Sequence, residues 1–152
     1  MTRYHEKVFA YGARALDRCL EGIHTPAIVH LCYGYPGGAN RQHEYEYPEL
    51  LQALMKTQIS GFAVEFARSH YDPAVLGICK GRLVMFGCVD PGDAPVPPAA
   101  QVVDRVRAAL KVVEPNNLLL APDCGLMTIT RDLADAKARL LVEVARAVRK
   151  KV

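Results

Sequence analysis

The sequence has no long apolar run and no strong excess of one charge. No stretch approaches the roughly 18 apolar residues of a membrane span, and the N-terminal segment MTRYHEKVFAYG lacks the apolar core of a secretory signal. We therefore expect a cytoplasmic protein with no membrane partner. The 19 basic residues nearly balance the 16 acidic ones, and the one basic cluster, at the C-terminus, suits a last helical turn. We expect no nucleic-acid partner.

Paired cysteine spacings are also absent. The five cysteines stand at 19, 32, 79, 88 and 124, an odd number without close pairs. Such scatter argues against a disulfide framework and for reduced thiols. Some of these thiols are therefore available as metal ligands.

The length and composition indicate one globular domain. A chain of 152 residues with 51% apolar and 23% charged residues is long enough to bury a sizeable core. No low-complexity segment or linker divides the chain. We expect residues 1–152 to form a single domain.

Helix and strand patterns alternate along the chain. A first helix is predicted over 6–20, where the apolar residues at helical spacing are Val8, Tyr11, Ala15, Leu16 and Cys19. Four strands are predicted at AIVHLC, GFAVEFA, RLVMFGCV and NLLLA. They are followed in turn by the helical segments YPELLQALMKTQ, YDPAVLGICK, PPAAQVVDRVRAALKVV and RDLADAKARLLVEVARAVRKK, and the turn-rich GYPGGAN forms a loop after the first strand. This order predicts an α/β fold with a parallel sheet, either doubly wound or a (βα)8 barrel.

Polar residues mark the end of every predicted strand. Active sites of parallel α/β folds lie at the carboxyl ends of the strands, and the residues there are His30, Cys32, Glu65, Asp90, Asp123 and Cys124. His30 and Cys32 are two residues apart on a strand, so their side chains share one face. Glu65 shares its face with small residues, and a buried carboxylate needs a partner such as a divalent cation.

Two thiolates, an imidazole and a carboxylate suit zinc better than iron or copper. The spacing differs from that of a zinc finger, because the candidate ligands His30, Cys32, Glu65 and Cys124 come from three separate strand ends. A structural interpretation stays open at this point, since buried cysteines are commonly small core residues. We apply that interpretation to Cys19 and Cys79. Cys88 shares a strand face with Asp90, yet its position within the strand favours packing, and we predict that His5, His24, His43 and His70 are surface residues.

At these residues the chain resembles the catalytic C-terminal domain of cobalamin-independent methionine synthase. The segments that carry the resemblance are VHLCYG, FAVEFARS and LLLAPDCGLMTITRDLADAKARLLVEVARAVR, and it extends over nearly the whole chain. It implies that His30, Cys32, Glu65 and Cys124 bind one Zn²⁺ ion. It also implies a methyltransferase that moves a methyl group from a methylated folate to the sulfur of homocysteine, giving methionine. Glu65, as the oxygen ligand, would be the one that yields to substrate sulfur.

The chain departs from that family in two respects. The family carries a histidine that is thought to protonate the departing folate nitrogen, and Asp90 stands nearest the matching position. Asp90 is therefore a candidate catalytic acid, or a residue that orients another group. The second departure is length, because four βα units correspond to the second half of a TIM (βα)8 barrel. Since a half barrel exposes two sheet edges, we expect a homo-oligomer or a partner chain that completes the barrel. The alternative is a fragment of a longer reading frame with weak or no activity of its own.

Two further functions remain open from the sequence. One is an alkyltransferase in which zinc activates another thiol, such as coenzyme M, to open an epoxide, because Asp90 replaces the expected histidine. The other is a truncated, non-catalytic zinc-binding subunit.

Overall fold

The computed structural model describes residues 3–32, 47–69 and 71–150, with side chains from residue 9 onward. Its helices are α1 (Arg3–Leu20), α2 (Tyr47–Leu54), α3 (Ala99–Ala109) and α4 (Arg131–Arg149), and its strands are β1 (Ile28–Leu31), β2 (Gly61–Glu65), β3 (Leu83–Val89) and β4 (Leu118–Pro122). Short 3₁₀ helices cover Pro73–Cys79 and Pro115–Asn117. None of the described helices is both long enough and apolar enough to span a bilayer. The predicted GYPGGAN loop, the side chain of His5, and His43 and His70 lie outside the described residues.

The four strands form one parallel sheet in the order β1-β2-β3-β4. Each strand pairs with the next one in the chain, and helical segments provide the crossovers between them. A doubly wound sheet reverses its strand order at a switch point, and these strands show no reversal. The predicted α/β fold is thus confirmed, with the sequential order of consecutive units of a TIM barrel.

The core lies between the helices and one face of the sheet. Alternate residues of β2 and β3, including Phe62, Val64, Val84 and Phe86, are at most 1% exposed. Helices α2, α3 and α4 cover them with apolar side chains that include Leu51, Val102, Val106 and Val144. Burying each such side chain contributes about 1.5–3 kcal/mol. The opposite face carries Gly61, Ala63 and Glu65, as the period-2 pattern predicts.

The predicted packed face of α1 was right at Leu16 and wrong at Tyr11 and Cys19. Tyr11 is 70% exposed and Cys19 is exposed, so Cys19 is not a core residue. The core contacts of α1 come from Leu16 and Leu20. At about 100° per residue, Cys19 lies about 100° around the helix axis from Leu20 and about 60° from Leu16, on the side away from Leu20. Its thiol is exposed there.

Two other cysteines pack as predicted. Cys79 is 2% exposed and ends the first 3₁₀ helix, while Cys88 is fully buried within β3. Burial raises the pKa of each thiol to about 12. The register of β3 against β4 shifts between Gly87 and Val89, and the Cys88 thiol donates to the carbonyl oxygen of Ala121 at 3.6 Å. Cys88 is therefore a packing residue, and His24 is exposed as predicted.

Candidate metal centre

One group of metal-compatible donors comes together within the described residues. The donor atoms of His30, Cys32, Glu65 and Cys124 all lie within 4.8 Å of one another. The Sγ atoms of Cys32 and Cys124 are 3.7 Å apart, and Nε2 of His30 is 3.4 Å from Sγ of Cys124. The structure thus brings together the four residues that the sequence singled out as ligands.

These separations fit a single tetrahedral ion. Zinc binds thiolate sulfur at about 2.3 Å and imidazole nitrogen at about 2.0 Å, so tetrahedral neighbours lie about 3.8 Å apart for two sulfurs and about 3.5 Å apart for sulfur and nitrogen. The observed 3.7 Å and 3.4 Å match both values. The donor set also matches the mixed sulfur, nitrogen and oxygen preference of a borderline cation.

The strand ends place these donors. His30 projects from β1, and Cys32 follows that strand directly. Glu65 is the last residue of β2 and is 8% exposed. Cys124 lies two residues beyond the end of β4. Because parallel strands all end at the same edge of the sheet, residues far apart in the chain meet there.

Asp123 lies at a strand end, but its carboxylate binds backbone N–H groups and is not one of the metal-compatible donors. It is 1% exposed and does not join the donor group. Its two carboxylate oxygens accept the backbone N–H groups of Phe66, Ala67 and Arg68 at 2.8–2.9 Å. Burial raises the pKa of the Asp123 carboxyl to about 7, against the lowering effect of those three donors. Asp123 thus holds the loop after β2.

Asp90, the candidate catalytic residue, also lies outside the donor group. Its Oδ1 accepts the backbone N–H of Gly92 at 2.6 Å, and its Oδ2 is 3.6 Å from Nε of Arg68. Both side chains of this ion pair are 36% exposed. Asp90 and Arg68 therefore stand together at the carboxyl edge of the sheet, open to solvent.

Sequence reasoning missed Arg68 and Lys137. Lys137 is fully buried, and its ammonium group donates to the carbonyl oxygens of Asp90, at 2.8 Å, and of Gly92. A signal was present, because Lys137 falls on the helical stripe of α4 whose other buried members are Leu140, Val144 and Val148. A lysine in such a stripe needs a buried acceptor. Arg68 left no comparable signal, since a lone arginine in a loop is usually a solvated residue.

Comparison with known proteins shows which proteins the chain is similar to. A family model described as "Cobalamin-independent synthase, Catalytic domain" matches residues 4–147. A methionine synthase from Pyrococcus abyssi is 27% identical over 149 residues, which are 97% of this chain and 41% of that protein. A 5-methyltetrahydropteroyltriglutamate–homocysteine methyltransferase from Mycobacterium bovis is 34% identical over 131 residues, which are 84% of this chain and 15% of that protein.

A solved structure shares the fold. The B12-independent methionine synthase from Shewanella sp. W3-18-1, in complex with selenomethionine, superposes with a TM-score of 0.88 at 29% identity, over 98% of this chain and 46% of that one. The chain thus spans less than half the length of the relatives it matches. Since the family model matches nearly all of the chain, the resemblance seen in the sequence is confirmed, and the chain belongs to the cobalamin-independent methionine synthase family.

Proposed function

We propose that this chain supplies the zinc-binding part of an enzyme that methylates the sulfur of homocysteine to give methionine. The observation that carries the proposal is the set of four donors within 4.8 Å of one another, in which the two distances at Cys124 match a tetrahedral ion. The Mycobacterium bovis relative is named as a homocysteine methyltransferase, which supports the same chemistry. A methylated folate is the proposed methyl donor, by analogy with the name of that relative.

In this proposal His30, Cys32, Glu65 and Cys124 hold the ion. Bound zinc would lower the pKa of a substrate thiol, so that the nucleophilic thiolate is present at neutral pH. The two cysteines must stay reduced to act as ligands, which supports the cytoplasm as the location. Glu65 provides the hardest donor of the set, and we expect its carboxylate to yield its place to substrate sulfur. X-ray absorption spectra with and without homocysteine test this, and an oxygen donor retained in both would contradict it.

Asp90 has an orienting role in the proposal. One of its oxygens is committed to the Gly92 N–H and the other faces Arg68, so the carboxylate holds the Arg68 guanidinium at the rim of the sheet. The guanidinium there presents N–H donors suited to an anionic substrate group. This supports orientation of another group over direct proton donation by Asp90.

The open sheet edges support a partner. Strands β1 and β4 have neighbours on one side only within the described sheet, and edge strands offer unpaired backbone groups for pairing. We propose that a second copy or a partner chain completes the barrel around the metal centre. Sedimentation of the purified chain with bound metal tests this, and a monomer that carries full methyl-transfer activity would contradict it.

Zinc stoichiometry tests the central claim. We expect one zinc ion per wild-type chain and a large loss in Cys124→Ala. Cys19→Ala is the matched control, because Cys19 is an exposed thiol of α1 and lies outside the donor group. A wild-type chain without zinc, or equal binding by Cys124→Ala, would overturn the proposal. Methionine formation from homocysteine and a methylated folate then separates the enzyme from a non-catalytic zinc-binding subunit, the outcome if zinc binds but no methionine forms.

A further inference from the structure

The carboxylate of Asp123 connects two strands that are not neighbours. Asp123 follows β4, and its backbone N–H donates to the carbonyl oxygen of Val89 in β3 at 2.9 Å. Its side chain passes over β3 to reach the backbone after β2, where it accepts from Phe66, Ala67 and Arg68. The link therefore joins the residue next to Cys124 with the residues next to Glu65.

Gly87 makes this passage possible. It pairs with Glu65 on one side and with Ala121 on the other. A Cβ added to Gly87 would stand 2.7 Å from the Cα of Asp123 and would also meet its Oδ1. Any side chain at position 87 would thus occupy the path of the Asp123 carboxylate.

Tyr47 makes a second link of the same kind. Its hydroxyl accepts the backbone N–H of Glu65 at 3.0 Å and donates to the carbonyl oxygen of Leu31 at 3.4 Å. Leu31 is the residue between His30 and Cys32, so this hydroxyl connects the backbone of Glu65 with the backbone between the two ligands of the first strand end. Tyr47 is also fixed by ring contacts with Phe66 and Tyr71.

We propose that Asp123 and Tyr47 are positioning residues of the metal centre. Tyr47 connects the ends of β1 and β2, and Asp123 connects the ends of β2 and β4, so together they span all three strand ends that carry ligands. Neither residue needs to touch the ion, because each acts through the backbone of a ligand or its neighbour. The inference rests on the proposed metal site. Its consequence is that the donors keep their spacing without metal, so that binding does not have to order them.

Metal affinity in conservative variants tests this role. Asp123→Asn keeps the shape of the side chain, and its amide oxygen can still accept the N–H groups of Phe66 and Ala67. Its amide NH₂ would face the backbone N–H of Arg68, and two donors cannot form a hydrogen bond with each other. Tyr47→Phe keeps the ring contacts and removes only the hydroxyl. Competition with a chromogenic chelator should show zinc binding weakened about 10–100-fold in each variant, the usual effect of losing a partner behind a metal ligand.

Thr57→Val is the matched control. Thr57 is 4% exposed, and its hydroxyl donates to the carbonyl oxygen of Leu54 at 2.6 Å, so the variant also loses a buried hydroxyl hydrogen bond. We expect a lower melting temperature with zinc affinity within about twofold of the parent, because neither group adjoins a ligand.

The outcomes separate the two proposals. If the parent chain binds zinc and both variants bind it equally well, the positioning role is refuted and the metal site stands. If the parent binds no zinc, the metal site itself fails and the positioning role fails with it. Should Asp123→Asn not fold, Tyr47→Phe decides alone: weakened binding supports the inference, and unchanged binding with a lower melting temperature, as in the control, refutes it.

Discussion

Replacement of Lys137 by methionine should destabilise the protein far more than replacement of an exposed lysine. Lys137 has no exposed surface, and its ammonium donates to the carbonyl oxygens of Asp90 and Gly92. Methionine fills a similar volume without a donor. Lys137→Met therefore leaves two carbonyl oxygens of the loop after β3 without their charged partner.

The expected loss follows from these two bonds. A hydrogen bond to a charged group contributes about 1.5–3 kcal/mol, so the two bonds together contribute about 3–6 kcal/mol. Part of this is offset, because the buried ammonium no longer has to be desolvated. The net loss in the free energy of unfolding should be about 2–4 kcal/mol. With a urea slope of about 2 kcal/mol/M, the unfolding midpoint should fall by about 1–2 M. The melting temperature should fall by about 6–12 °C.

Urea unfolding of the Lys137→Met and Lys111→Met variants measures the effect. Lys111 is exposed, so its replacement should change the free energy of unfolding by no more than about 0.5 kcal/mol. Amide hydrogen exchange should also become faster at Asp90 and Gly92, because Lys137 holds this loop. Equal midpoints for the two variants would refute the reasoning, since the buried ammonium would then contribute nothing that methionine cannot replace.

Three further predictions concern other parts of the fold. In the metal-free native protein, an alkylating reagent should modify exposed Cys19 long before buried Cys79, whose pKa of about 12 keeps it protonated at pH 8; peptide mass spectrometry measures both, and equal rates would contradict the burial. Gly87→Ala should lower the free energy of unfolding by about 1–3 kcal/mol, because its Cβ would stand 2.6 Å from the carbonyl oxygen of Val64; an unchanged urea midpoint would contradict the close approach. Thr130→Ala removes the side-chain acceptor for the Leu133 N–H in the first turn of α4 and should lower the free energy of unfolding by about 1 kcal/mol; an unchanged melting temperature would contradict the cap.

Much of the fold could be predicted because the strands are short apolar runs, two of which, β2 and β3, are largely buried on both faces. The runs IVHL, GFAVE and LVMFGCV lie between turn-forming residues, and each is a strand in the structure. The face of α1 could not be predicted from periodicity, because apolar residues at 11 and 19 fit a helical stripe as well as those at 16 and 20. Contacts with the rest of the core decide between the two stripes, and the sequence does not contain them.

The candidate ligands could be predicted because strand ends of a parallel sheet meet at one edge. His30, Glu65 and Cys124 each follow from the position where a strand ends, without any knowledge of how far apart the strands lie. The register shift between Gly87 and Val89 is different. It depends on how β3 pairs with a strand that lies more than thirty residues further along the chain, and the side-chain pattern of β3 alone does not reveal it.

The supporting contacts are harder to predict than the ligands, because each joins residues whose individual patterns look ordinary. Asp123 reads as one more strand-end carboxylate, yet its oxygens are bound to the backbone after β2. What distinguishes it is Gly87, a glycine within an otherwise bulky buried strand, where the absence of a side chain indicates close approach by another group. A glycine in a central strand and a buried acid after the next strand can therefore be considered as a pair. The pair indicates a side chain that crosses the strand between them, which is a stronger inference than either residue supports alone.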